Sequence, residues 1–187
     1  MSAVEEPFLM PVEVVFRRGR QTMPTGRIER GRVRTGDEVQ LVGPDRALTA
    51  HVTGIDLHGR HVDEASAGMH VGLLLHGTAG TAVGRGHVLA APGAIDAHHR
   101  FTADLALLSE ADGGTEVRTG DRLQFHVRTA TVLGVVTLPP GADPLQPLHQ
   151  GTVTVALDHP VALETGRRLA FRHHARAAGT ATVTRLG

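Results

Sequence analysis

Apolar side chains recur at every second position in residues 7–16, at Phe8, Met10, Val12, Val14 and Phe16, the period of a half-buried strand. Residues 25–43 read as strand, tight turn, strand, with Ile28, Val33, Val39 and Leu41 apolar and charged side chains between them. Gly31 and Gly36 stand where a reversing chain needs positive φ, which glycine adopts without strain. With a basic turn at 17–20, the pattern places strands at 23–30 and 38–42. Gly43, Pro44 and Asp45 supply turn chemistry, and alternation resumes through Leu48, Ala50, Val52 and Ile55. Further strands are expected at 71–76 and 87–90. Residues 62–69 offer a single helical turn, too short to stand as a helix.

Residues 90–94, Ala-Ala-Pro-Gly-Ala, are small and non-periodic and read as a linker, which divides the chain into units 1–93 and 94–187. The second unit repeats the strand signal at 101–108, 122–128, 131–138, 151–158, 168–172 and 179–186, with a long loop at 109–120. About six short strands per unit and no helical pattern predict an all-β chain of two six-stranded antiparallel Greek-key barrels in tandem. A short echo supports this. Val33-Arg34-Thr35-Gly36-Asp37 recurs as Val117-Arg118-Thr119-Gly120-Asp121 and, more weakly, as Leu163-Glu164-Thr165-Gly166-Arg167. Its physical content is one corner, a left-handed glycine entering a strand, used repeatedly.

Composition narrows the chemistry. The chain has 187 residues, 41% hydrophobic, and no cysteine, so it can hold neither disulfide, thiolate metal site nor cysteine nucleophile. All nineteen basic residues are arginine, and lysine and asparagine are absent. Absent lysine excludes a phosphate-binding loop of the Gly-Lys-Ser/Thr kind and Schiff-base catalysis. Zero formal net charge means that any nucleic-acid affinity must come from a local patch. No apolar run spans a bilayer, and residues 1–6 lack a signal-peptide pattern, so a cytoplasmic protein with no membrane partner is expected.

Pro7-Phe8-Leu9-Met10-Pro11-Val12-Glu13, Thr25-Gly26-Arg27-Ile28-Glu29-Arg30-Gly31, Gly36-Asp37-Glu38-Val39, Val71-Gly72-Leu73-Leu74-Leu75 and Val88-Leu89-Ala90 resemble the second domain of bacterial elongation factor Tu. Gln124-Phe125, Arg128-Thr129, His159-Pro160-Val161-Ala162 and Arg168-Leu169-Ala170-Phe171-Arg172 resemble its third domain. The GTPase domain of that family would precede Pro7, and it is expected to be absent. The resemblance implies two packed barrels and no GTP hydrolysis. It also implies a role in holding the aminoacylated adenosine at the 3′ end of tRNA. Glu13, Phe16 and Thr25 match pocket residues, Asp56 replaces a glutamate flanking the adenine, and His70 replaces an asparagine. Arg60 follows Gly59, where the family has arginine. Arg122 and Gln124 match positions that approach the tRNA T stem, while Thr115 and Leu133 replace other contacts. Gly26 and Arg27 lie toward the GTPase domain in the family, which makes them the expected partner-docking residues. Pro24 enters a strand, where it removes a ladder hydrogen bond.

Three functions follow as expectations. The first is a non-catalytic translation module binding tRNA or related RNA through Glu13, Phe16, Thr25, Asp56, Arg60, His70, Arg122 and Gln124. The second is a protein-interaction module docking a separate GTPase-domain protein or an exchange factor. The third is a histidine metalloenzyme, for which His51, His58, His61 and Asp63 are the best cluster and His98-His99 and His173-His174 are adjacent pairs. Adjacent strand residues point to opposite faces, and no His-Glu-x-x-His spacing exists, so no cofactor or metal is expected. Ser2, Ser66 and Ser109 lack a nucleophile elbow. Phe16 carries two readings, a base-stacking platform or an inward core side chain, the usual place for an apolar strand residue. Arg17, Arg18, Arg20 and Arg27 fit a phosphate patch or solvated strand-edge charges equally.

Overall fold

The computed structural model describes residues 2–45, 47–77 and 82–187 and divides into two compact units, Met1–Asp96 and Ala97–Gly187. The first contains β1 (Leu9–Pro11), β2 (Val14–Arg18), β3 (Gln21–Arg27), β4 (Arg32–Arg34), β5 (Glu38–Val42), β6 (Leu48–Leu57), β7 (Arg60–Val62), β8 (Glu64–Ser66), β9 (His70–His76) and β10 (Val88–Ala90). The second contains β11 (Asp96–Leu107), β12 (Arg122–Val127), β13 (Ala130–Thr137), β14 (Gln150–Leu163), β15 (Arg168–His173) and β16 (Arg176–Leu186). The all-β expectation holds.

The second unit is a closed antiparallel barrel in the order β11-β14-β13-β12-β15-β16. Alternation along each strand sends one face inward, where Phe101, Phe125 and Phe171 meet. The Phe101 and Phe125 rings are edge-to-face with centroids 5.8 Å apart, and Phe125 and Phe171 are tilted at 5.9 Å. Such quadrupole-matched contacts add to the apolar burial that holds the barrel shut. The long loop at 109–120 contains a 3₁₀ turn, Glu110–Asp112, capped by the Ser109 hydroxyl.

The first unit departs from the six-strand expectation. Its main sheet runs β1-β10-β5-β6-β9-β3-β2, β7 pairs off β6, and β4 and β8 form a separate two-stranded ladder. Closure by ladder hydrogen bonds is not found among the described residues, so the second six-stranded barrel is not established. The sheet's two terminal strands are nevertheless consecutive in sequence, β1 and β2, separated by Val12 and Glu13. The chain bends there: Val12 N–H donates to the His87 carbonyl (2.9 Å), whereas Glu13 N–H donates to the Thr25 carbonyl (2.8 Å). One stretch with a period of two therefore becomes two strands that serve opposite ends of the sheet. Phe8, Met10 and Val12 enter the core, while Val14 and Phe16 face solvent at 49% and 57% exposure. The inward reading of Phe16 is thus overturned.

Residues 62–69 form no helical turn. Arg32↔Ser66, Val33↔Ala65 and Arg34↔Glu64 pair in the small ladder, and Glu64 accepts from both arginines at 3.3 and 2.9 Å. Pro24 sits inside β3 opposite Val15, and the β3–β9 ladder passes from Thr22↔Leu75 to Thr25↔Gly72 without a recorded pair between. The missing proline N–H accounts for that gap.

The repeated corner is one structure three times. Gly36, Gly120 and Gly166 have φ of 96°, 95° and 83°. Their N–H groups donate to the carbonyls of Val52, Val136 and Val183 at 2.7, 2.8 and 2.7 Å. Those valines donate back to Asp37, Asp121 and Arg167, each at 2.9 Å. In the first two copies the aspartate carboxylate also accepts from the Arg34 or Arg118 N–H (2.9 and 2.8 Å).

Candidate nucleic-acid interface

Four adjacent strands, β6, β9, β3 and β2, present one outer face of the first unit. Register lines up Asp56↔Gly72, Gly72↔Thr25 and Thr25↔Val14 as a row across them. Their neighbours Ile55, Val71 and Leu73 point inward and are buried. On the outer side Phe16 pairs with Met23. The Met23 thioether lies over Gly72, where a Cβ would stand 2.7 Å from the sulfur, and Leu74 lies over Gly54, where a Cβ would stand 3.0 Å from its Cδ1. Two glycines inside strands thus let Met23 and Leu74 lie flat, and Phe16, Met23 and Leu74 form a shallow apolar strip.

Polar groups border the strip. Glu13 and His70 meet at 3.0 Å between Oε2 and Nε2, and His70 stands opposite Arg27. The Thr25 side chain is 8% exposed, and its hydroxyl donates to the Val14 carbonyl at 3.0 Å. At the other end a tight β6–β7 hairpin, with His58 and Gly59 at φ 51° and 81°, carries Arg60 into solvent. Gly59 N–H there donates to an Asp56 carboxylate oxygen (3.3 Å). The structure therefore gathers Glu13, Phe16, Thr25, Asp56 and His70 on one sheet face with Arg60 at its end. Exposed aromatic and apolar surface ringed by hydrogen-bonding groups suits an unstacked base, with a ribose or backbone at the border.

The remaining expected site residues fall elsewhere. Gly26 is internal, since a Cβ would strike the Pro11 carbonyl oxygen, and the Arg27 guanidinium donates to the Gly68 carbonyl (3.2 Å). Arg17 reaches the Val83 carbonyl (2.7 Å), leaving Arg18 and Arg20 exposed at the β2–β3 turn. In the second unit Arg122 and Gln124 share the outer side of β12. Arg122 pairs with Asp158 at 2.8 Å, and Gln124 stands between Leu133 and Arg172.

Among the described residues no three His, Asp or Glu side chains are arranged to hold a metal ion. His61 stands opposite Asp56, and His51 stands between Glu38 and His76, so the histidine cluster disperses over separate rows. The adjacent pair His173-His174 does not splay as strand neighbours would. Its rings stack 4.0 Å apart because His174 leaves β15 at φ 52°.

Sequence reading missed several members of these clusters. Met23, Leu74, Gly54 and Gly72 build the strip, and two glycines within strand patterns were the available signal. In the second unit His173, 4% exposed, meets the Thr115 hydroxyl at 2.7 Å and approaches Asp121 at 3.7 Å. Burial holds its pKa below the usual histidine range, the neighbouring His174 adds to this, and Asp121 opposes it. With the imidazole buried, this trio serves as a tie between β15, the loop at 109–120 and the second corner.

Two family models match the chain. Elongation factor Tu domain 2 matches residues 21–90, and the elongation factor Tu C-terminal domain matches residues 94–186. Between them they take in β3, β6 and β9 of the sheet face and the whole closed barrel, while Glu13 and β2 with Phe16 lie outside the matched residues. The chain belongs to the elongation factor Tu family, through that family's domain 2 and C-terminal domain.

Proposed function

We propose that this chain is a non-catalytic translation module that holds the aminoacylated 3′ end of tRNA, or a related RNA, on the outer face of β6, β9, β3 and β2. The observation that carries the reading is Phe16, 57% exposed beside Met23 and within the bordering set Glu13, His70, Thr25 and Asp56. More than half of this apolar side chain stands in solvent on a strand, and a base has the flat face to cover it. Arg18, Arg20 and Arg60 supply phosphate contacts, and the 187 residues carry no lysine for a phosphate-binding loop. Equilibrium binding of aminoacyl-tRNA at low salt tests the reading. Phe16→Ala should weaken it about tenfold, the loss of one base stack, with an unchanged melting temperature. Absence of RNA binding at low salt contradicts the proposal.

A second reading, docking of a separate GTPase-domain protein or exchange factor, is favoured by one observation. Arg122, a candidate T-stem contact, is already neutralised by Asp158 at 2.8 Å. Asp158→Asn discriminates between the readings. It strengthens RNA binding if Arg122 serves phosphate, and leaves it unchanged if that surface serves protein.

A further inference from the structure

A second concave feature of the first unit lies apart from the sheet face assigned to RNA. A cavity of about 420 Å³ opens between the N-terminal segment and the corner that leads into β5. Its apolar lining comes from Val4, Pro7, Phe8 and Ala91, with the buried Val33 and Val39 beneath. The N-terminal segment forms one wall because Gly31 lets it lie close. Gly31 N–H donates to the Ala3 carbonyl (2.6 Å), and a Cβ there would stand 2.5 Å from the Phe8 Cα. That wall brings Glu5 and Glu6 to the same opening as Asp37 and Glu38. Four carboxylates thus face one lining guanidinium, Arg32, which is itself engaged by Glu64 at 3.3 Å.

The carboxylates are not equally committed. Asp37 accepts the Arg34 N–H of its own corner, and Glu5 accepts the Ser2 N–H. Glu6 Oε2 lies 3.9 Å from Arg30 Nε and Glu38 Oε2 lies 3.8 Å from His51 Nε2, both beyond hydrogen-bond length. We propose that this cavity receives an arginine side chain presented by a partner protein. The apolar floor covers the methylene stem, as it does wherever long cationic side chains lie along apolar surface. Glu6 and Glu38 receive the planar, multiply donating head. A divalent cation would need oxygen on all sides and would meet Phe8 and two valines instead. The carboxylate rim also repels a phosphate backbone, so this surface and the RNA face select different partners.

The test is a titration of this 187-residue chain, followed by amide shifts of Val33, Glu38 and Val39. The ligand is a blocked tripeptide, Gly-Arg-Gly, set against the same peptide with neutral citrulline in place of arginine. The arginine peptide should give saturable shifts at these amides, and citrulline should bind at least about tenfold more weakly. Glu6→Gln combined with Glu38→Gln should remove that preference while the melting temperature holds, and Phe16→Ala should leave it intact. The proposal is overturned by equal or absent shifts with both peptides, by tighter binding of spermidine than of the arginine peptide, or by self-association of the protein that fills the cavity.

Discussion

Arg128 shows how much of this molecule is decided by single side chains that no pattern announces. It stands in the two-residue turn between β12 and β13 at φ 56°, a backbone region that L side chains seldom adopt, yet its side chain is only 1% exposed. The guanidinium donates to Glu164 at 2.9 Å and to the Ala162 carbonyl at 3.2 Å, which pins the turn to the third corner. Arg128→Ala should lower the stability of the second unit by about 2 kcal/mol, the scale of lost charge-assisted hydrogen bonds, as read from denaturant melts. His173 sets a different dependence. Its folded pKa is lowered by burial, so the unfolded chain binds the extra proton first as the solution is acidified. Its stabilising contribution is full above the ordinary histidine range and is lost as pH falls through that range toward the lowered folded value. The denaturation midpoint should therefore drop as pH falls through the ordinary histidine range, and His173→Gln should flatten the drop. A larger pH response in the variant would contradict the assignment.

At the scale of elements, the corner was legible and the bend was not. Val-Arg-Thr-Gly-Asp carries its own instructions, a glycine for positive φ and an aspartate to clasp the backbone N–H three residues earlier, so repetition in sequence means repetition in space. Gly120→Ala should cost about 1 kcal/mol or more, because alanine resists φ of 95°. Asp121→Ala should cost about 1 kcal/mol through the lost clasp on Arg118 N–H. The two effects should not sum in the double variant, since both act on one corner; thermal melts of the three proteins decide this. The bend at Val12 and Glu13 has no such local code. Alternation continues unbroken across it, and only the partners change, His87 before it and Thr25 after it. A pattern that records period but not partner could not show that Phe16 changes sides. Residues 62–69 misled for a related reason: their strand character comes from Arg32 and Arg34 across the ladder, thirty residues away in sequence.

For the whole molecule, the class of fold was legible in turn chemistry and strand spacing and the family in the motifs that resemble it, while the proposed RNA face was not. The outer strip exists because Gly54 and Gly72 lie beneath Leu74 and Met23, a relation between strands that a linear reading does not hold. Net charge offers no help in finding it. The first unit has ten arginines against eleven carboxylates and the second nine against eight, so neither attracts nucleic acid as a whole. On the proposed reading, affinity arises from stacking and a few local arginines, and binding should weaken only gently with salt, as for about three phosphate contacts. The isotope-labelled 187-residue chain titrated with a short RNA hairpin ending in an aminoacylated 3′ adenosine tests this most directly. The account predicts saturable shifts centred on Glu13, Phe16, Met23, Thr25, Asp56, Arg60, His70 and Gly72, with the affinity weakened about tenfold by Phe16→Ala. Shifts centred on any other face, or none at low salt, would contradict it.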